Sequence, residues 1–115
     1  MKLLKILLII VLLLMVVTSV SANKILFAFV SGNEYIKYSV QSKIDYVEGL
    51  MDMTATLTQY YDPEEYLKIL EVTEKMTCGQ IVKIFNKYLE ENPEELHYAA
   101  AVCFLNAIYE IVHKN

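Results

Sequence analysis

The sequence predicts an all-α fold, a small helical bundle whose C-terminal part is an antiparallel helical hairpin. The chain contains only three glycines and two prolines in 115 residues, so few positions break a helix. After Val30 no segment shows the strict alternation of apolar and polar residues that a strand requires; apolar residues instead recur three and four positions apart. The length allows one small domain and excludes large-enzyme architectures.

The first residues have the composition of a secretory signal peptide. Lys2 and Lys5 precede an apolar run, residues 6–17, which is shorter than the ~20 residues that span a bilayer. Small and polar residues follow, and we expect cleavage after Ala22, leaving residues 23–115 as a single helical domain. The alternative is an uncleaved inner-membrane anchor, because residues 25–30 are apolar again. Polar residues 18–24 would then lie within the membrane, which disfavours this alternative.

The charge balance argues against nucleic acid as a partner. The whole chain has a net charge of −4 and contains no arginine, and removal of residues 1–22 takes away two further lysines. Binding to a phosphate backbone depends on lysine and arginine, which release counterions. An acidic domain is also repelled by anionic membrane surfaces, so we expect no stable membrane insertion after signal cleavage.

Two helices are predicted in the middle of the domain. Residues 31–33 form a turn or cap, and a helix follows whose apolar face comprises Ile44, Val47, Leu50, Met51 and Leu57. It ends at Tyr60 and Tyr61. Asp62 then caps a second helix with Pro63 at its first position, and this helix extends to about residue 72.

The last third predicts the hairpin. Thr77 and Gln80 form a capping box before an apolar stripe of Ile81, Ile84, Phe85 and Tyr88. Asn92 then caps a second helix, with Pro93 at its first position and Glu95 at its third. The predicted core stripe of this second helix is Leu96, Ala99, Ala100, Cys103, Ala107 and Ile111.

The residues that could support catalysis do not form a recognisable reactive centre. Cys78 or Cys103 would need His97 or His113 as a base, yet Cys103 lies on an apolar stripe and no glycine-rich oxyanion turn is present. We therefore expect no enzymatic activity. A Cys78–Cys103 disulfide stays open, because in straight helices the two positions differ by about 4.5 Å in height.

Metal and cofactor sites are not expected either. The sequence has no CxxC or HxxxH pair, and its one ExxH motif, Glu94 with His97, lacks the second motif that a bundle metal site requires. We expect neither a metal nor a cofactor.

Two surface features are candidates for protein binding. Acidic residues cluster at the predicted hairpin turn, where they either cap a helix or attract a basic partner. Tyr60 and Tyr61 form a second exposed corner, and tyrosine is enriched at protein interfaces. The candidate turn comprises Glu90, Glu91, Asn92, Glu94 and Glu95.

The order of short motifs resembles the Rap/Tai family of immunity proteins, which neutralise type VI secretion amidase effectors. The motifs are SGNEYIKYS (residues 31–39), YVEGLMD (residues 46–52) and the long C-terminal segment MTCGQIVKIFNKYLEENPEELHYAAAVCFLNAIYEIV (residues 76–112). The matching positions are Gly32, Asn33, Gly49, Asp52, Gly79, Gln80, Tyr88, Leu89, Pro93, His97 and Ala100.

The resemblance implies a periplasmic all-helical homodimer that binds a cysteine amidase and obstructs its active-site cleft, without catalysis of its own. In this family, Gly49 is expected to allow close helix packing, and Asp52 and Gln80 to act as caps or polar network members. One departure concerns cysteine. Family members typically pair a cysteine a few residues before the Gly-Gln motif with one at the C-terminus, whereas here Cys78 directly precedes Gly79 and residues 113–115 contain no cysteine. The family disulfide is therefore either absent or rebuilt through Cys103. The alternative function is an exported structural or chaperone-like helical module with no cognate toxin.

Overall fold

The computed structural model describes residues 1–20 and 29–114, with side chains for residues 1–11 and 29–114. The expected cleavage site after Ala22 lies outside these residues. The described part of the chain contains α-helices and no strands, which confirms the predicted all-α class. The helices are α1 (Lys2–Val20), α2 (Gly32–Tyr35), α3 (Val40–Tyr61), α4 (Pro63–Thr73), α5 (Cys78–Glu91) and α6 (Ala100–Val112), with a 3-10 turn at Pro93–Glu95.

Local capping signals set most of these boundaries. The predicted Thr77 capping box is present, with the Gln80 amide donating to Thr77 Oγ1 and the Thr77 amide to Gln80 Oε1. Asp62 Oδ1 accepts from the Glu65 amide at 3.2 Å, and Pro63 occupies the first position of α4 as predicted. Ser31 forms a further capping box with Glu34, which opens the short α2.

Aromatic side chains connect the helices at the centre of the core. Tyr35, at the end of α2, is fully buried, and its ring lies 4.6 Å from that of Phe85 on α5. Phe85 in turn meets Phe104 of α6 edge to face, with ring centroids 5.4 Å apart. Val47 of α3 is fully buried in the same core. These rings position α5 and α6, which form the predicted hairpin.

The start of α6 differs from the prediction. The sequence indicates a helix from Pro93 with Asn92 as its cap, whereas α6 begins only at Ala100. Asn92 Nδ2 instead donates to the Tyr88 carbonyl oxygen at 2.8 Å, so this side chain serves the end of α5.

Backbone pairing with the N-terminal part of the domain explains the late start. Residues 96–100 lie beside residues 30–33, and Ser31 and Ala99 form an isolated antiparallel bridge. A helix beginning at Pro93 would take these amides and carbonyls into its own hydrogen-bond ladder. Three backbone hydrogen bonds join the segments. In each of them an amide N–H donates to a carbonyl oxygen: Gly32 to Tyr98 (3.0 Å), Asn33 to Leu96 (2.9 Å) and Ala100 to Val30 (2.7 Å).

The close-packing role expected for Gly49 is wrong. Gly49 is exposed on α3, and a Cβ atom at this position would have no neighbour within 4 Å. Gly32 has the role instead: a Cβ there would lie 3.0 Å from Leu96 Cα and 3.1 Å from the Leu96 carbonyl oxygen. The close approach is thus between two backbone segments rather than two helices.

The described side chains of α1, residues 1–11, are all exposed. Among the residues that the structure describes, no helix is sufficiently long and apolar to cross a membrane.

Candidate protein-binding surfaces

The acidic turn between α5 and α6 contains carboxylates in different situations. Glu91 pairs with Lys87 one helical turn earlier, at 3.7 Å. Glu95 Oε2 accepts a hydrogen bond from the Tyr88 hydroxyl at 2.8 Å. Glu90 and Glu94 are exposed and enter none of the ion pairs of the described residues. Only these two carboxylates are therefore available to a partner without breaking an existing contact.

Tyr88 ties this turn to α5 through its side chain. Its hydroxyl is partly buried, and burial, followed by the Glu95 carboxylate, raises the pKa of Tyr88 to about 12. The phenol therefore remains a hydrogen-bond donor through the neutral and moderately alkaline range. Tyr88 and Glu95 hold the turn against α5.

The tyrosine corner at the junction of α3 and α4 is the most exposed aromatic surface in the described residues. Tyr60 and Tyr61 are 80% and 77% exposed, and their rings meet nearly edge-on at 4.9 Å. Leu57 and Met53 precede them on α3 and are also exposed. The sequence prediction that placed Leu57 on the core face is wrong, because the residue is exposed. A shallow depression lies between Thr56, Leu57, Gln59, Tyr60 and Tyr61.

A second apolar surface on and beside α6 was missed by the sequence prediction. Tyr98, Val102, Leu105 and Tyr109 are between 48% and 62% exposed and follow one another at intervals of three or four residues. The opposite face, with Cys103, Phe104 and Ala107 among others, is buried. The signal was present in the sequence, because no charged residue occurs between Ala99 and Tyr109, and apart from Asn106 the exposed side of this helix is largely apolar. We call Tyr98, Val102, Leu105 and Tyr109 the α6 stripe.

The two cysteines are free thiols in the structure, so the bridge that the sequence left open is not formed. Cys78 Sγ donates to the Ile44 carbonyl oxygen at 3.6 Å, and Cys103 Sγ to the Glu95 carbonyl oxygen at 3.4 Å. Burial raises the pKa of Cys103, and burial with the nearby Glu48 and Asp45 carboxylates raises that of Cys78. Raised thiol pKa values are the opposite of what a nucleophilic cysteine requires.

Neither histidine forms a hydrogen bond with a thiol in the described residues. The His97 ring contacts Tyr98, with centroids 4.2 Å apart, and the residue is exposed. His113 Nε2 lies 2.8 Å from Glu65 Oε1, a contact that joins the end of α6 to α4. Within residues 1–20 and 29–114, no group of three or more His, Cys, Asp or Glu side chains could hold a metal ion.

The positions of the family resemblance fall mainly at structural junctions. Gln80 is a capping residue, as expected, and Leu89 and Ala100 are buried. Asp52 is exposed in the middle of α3 and so cannot cap a helix. Pro93 begins the 3-10 turn. Gly79 lies in the first turn of α5, where a Cβ atom would make only an ordinary contact with Thr77 Oγ1 at 3.8 Å.

No family model matches this chain, and no curated protein or solved structure matches it either.

Proposed function

We propose that this chain is an exported, periplasmic immunity protein that binds and blocks a peptidoglycan amidase effector of type VI secretion. The observation that carries the proposal is the tyrosine corner: two adjacent, almost fully exposed tyrosines at the tip of two helices. A projecting pair of this kind fits a concave site on a partner, and tyrosine supplies large contact area at small entropic cost. The resemblance to the Rap/Tai family supplies the identity of the partner.

The acidic turn supports the same type of activity. Glu90 and Glu94 add negative charge to an already acidic surface, which accelerates association with a basic partner and makes it sensitive to salt. Blocking by contact requires no chemistry from the inhibitor. The carbonyl-bonded thiols with raised pKa values agree with such a passive role.

We further propose that the α6 stripe joins two copies of the chain. Its order of side chains is Tyr, Val, Leu, Tyr, which is nearly the same when read backwards. Antiparallel apposition about a two-fold axis therefore sets Tyr98 against Tyr109 of the partner subunit, and Val102 against Leu105 of the partner subunit. The absence of charge between Ala99 and Tyr109 removes repulsion from such a contact.

The alternative is an exported helical structural or chaperone-like module without a cognate toxin. The observation that favours it is the presence of two separate apolar surfaces, the tyrosine corner and the α6 stripe. Such a protein would bind many unfolded chains weakly, whereas an immunity protein binds one folded amidase tightly.

The deciding experiment measures binding to a purified cysteine amidase encoded beside this chain, together with inhibition of peptidoglycan cleavage. We expect the double variant Tyr60→Ala, Tyr61→Ala to lower affinity at least ~30-fold, since buried interface tyrosines typically contribute 2 kcal/mol or more. Val40→Ala is the matched control, because Val40 is an exposed apolar residue at the opposite end of the same helix.

Two results would contradict the proposal. In the first, the amidase retains full activity in the presence of excess wild-type protein, and deletion of the gene for this protein makes cells no more sensitive to the amidase. The other is comparable binding to several denatured proteins, which supports the chaperone-like alternative.

A further inference from the structure

A groove on the side of the bundle brings a cation, an amide and an anion around an apolar floor. It lies between the residue after α2, the first turn of α3, the end of α5 and the segment before α6, and it encloses about 300 Å³. This volume accommodates a small molecule or the end of a peptide. The lining residues are Ile36, Lys43, Asn86, Leu89, Glu90 and Leu96.

Lys43 contributes a positive charge that has no carboxylate partner in the described residues. Its Nζ lies 5.5 Å from the centroid of the Tyr35 ring. Contact with the ring face holds the ammonium group in place without using its N–H donors. The residue is partly buried, so an anion beside it would be only partly screened by water.

Tyr35 fixes the orientation of the Asn86 amide. The buried Tyr35 hydroxyl donates to Asn86 Oδ1 at 3.2 Å. Burial raises the pKa of Tyr35 far above its ordinary value, so the hydroxyl remains a donor at all physiological pH values. Because the amide oxygen accepts from Tyr35, the Nδ2 amino group is directed to the other side of the amide. No hydrogen bond among the described residues uses this amino group.

The rest of the groove complements these two donors. Leu89 is almost completely buried and forms the floor, with Ile36 and Leu96 at the sides. Glu90 follows Asn86 by one helical turn on the same face of α5 and supplies an acceptor in the groove. The groove therefore offers donors for an anion, an apolar bed and an acceptor for an N–H group.

We propose that this groove binds an apolar α-amino carboxylate, either a free amino acid or the C-terminal residue of a peptide. The carboxylate lies between Lys43 Nζ and Asn86 Nδ2, and the side chain packs on Leu89. The neighbouring ammonium or amide N–H is directed to Glu90. This inference does not depend on the proposed immunity function.

The test is an NMR titration of the ¹⁵N-labelled full chain with leucine, N-acetylleucine and leucinamide, up to about 20 mM. We expect the Asn86 side-chain amide and the Leu96 backbone amide to shift with the two carboxylates and not with leucinamide. Tighter binding of leucine identifies a free amino acid as the ligand. Tighter binding of N-acetylleucine, in which an amide N–H replaces the ammonium group, identifies a peptide C-terminus.

Variants of the lining residues distinguish binding in the groove from unspecific binding elsewhere on the surface. Lys43→Met should weaken binding at least about tenfold, because it removes the cation and retains the apolar stem. Asn86→Asp should do the same while keeping an acceptor for Tyr35, so its thermal unfolding should change little. Lys83→Met is the control, an exposed lysine on α5 that does not line the groove.

Three outcomes would overturn the proposal: no shift with either carboxylate, equal binding of leucine and leucinamide, or unchanged affinity in Lys43→Met.

Discussion

At the scale of single residues, Gly32 and Gly49 occupy opposite environments. A Cβ atom at Gly32 would meet the backbone of Leu96, which cannot move aside without breaking the pairing of residues 30–33 with residues 96–100. At Gly49 a methyl group would enter open space within a long helix. Glycine is thus required at the first position and only reduces helix propensity at the second.

We expect Gly32→Ala to lower the free energy of unfolding by about 1–3 kcal/mol, the usual cost of overpacking. Gly49→Ala should raise it by about 0.5–1 kcal/mol, because alanine is the better helix former. Urea denaturation followed by circular dichroism measures both, and each variant is the control for the other. Destabilisation by Gly49→Ala would mean that this face of α3 is covered in solution.

We expect Tyr88 to make the free energy of unfolding depend on pH in the alkaline range. Its pKa is raised from 10.0 to about 12 in the folded chain, so the neutral phenol favours the folded state. This contribution is fully present below pH 10.0 and is lost as the pH rises through about 12. Tyr88→Phe removes the hydrogen bond to Glu95 and should cost about 1 kcal/mol near neutral pH.

The difference in free energy of unfolding between wild type and Tyr88→Phe should therefore shrink above pH 10.0. Titration of tyrosinate absorbance tests the same point, since the variant should lack one late-ionising tyrosine. A difference between the two proteins that stays constant up to strongly alkaline pH would contradict this account.

At the scale of elements, α5 and α6 each carry a thiol with a different degree of protection. Cys103 of α6 is fully buried and its thiol donates to the Glu95 carbonyl oxygen, whereas Cys78 is only partly buried at the start of α5. Because thiolate is the reactive form and both pKa values are raised, we expect slow alkylation by iodoacetamide near neutral pH.

Cys78 should react before Cys103, and Cys103 only when the hairpin opens. Mass spectrometry of timed samples, with and without urea, measures the two rates in the Cys103→Ser and Cys78→Ser variants. Rapid alkylation of Cys103 in the folded chain would argue for a reactive thiol and against a purely binding function.

Most helix boundaries were predictable because their signals are local. The Thr77 box and the junction of Asp62 with Pro63 are set by residues within one turn of each other. The start of α6 was not predictable in this way, because Asn92 and Pro93 form a valid helix signal that pairing with residues 30–33 overrides. The groove around Lys43 was unpredictable for the same reason, since residues from four separate segments line it.

At the scale of the whole molecule, the exposed α6 stripe predicts a dimer in solution. The stripe is small for an interface, so we expect a dissociation constant in the micromolar range or weaker. Leu105→Glu should place a carboxylate against Val102 of the partner subunit on both sides of the axis and yield monomer. Leu67→Glu is the control, an exposed leucine on α4.

Sedimentation velocity over a range of concentrations measures this equilibrium. A wild-type chain that remains monomeric at about 100 µM would exclude the α6 dimer. If Leu105→Glu and Leu67→Glu weaken dimerisation equally, the association arises from general surface hydrophobicity and not from the α6 stripe.

The pairing of residues 30–33 with residues 96–100 sets an order of events during biosynthesis. A polypeptide leaves a ribosome or a translocation channel N-terminus first, so Gly32 and Asn33 emerge long before Leu96 and Tyr98, which accept their hydrogen bonds. Residues 30–33 therefore cannot form these hydrogen bonds until residues 96–100 have been synthesised. A nascent chain halted before Leu96 lacks the acceptors for both amides. The amides of Gly32 and Asn33 therefore stay hydrated until the segment that contains Leu96 and Tyr98 has emerged.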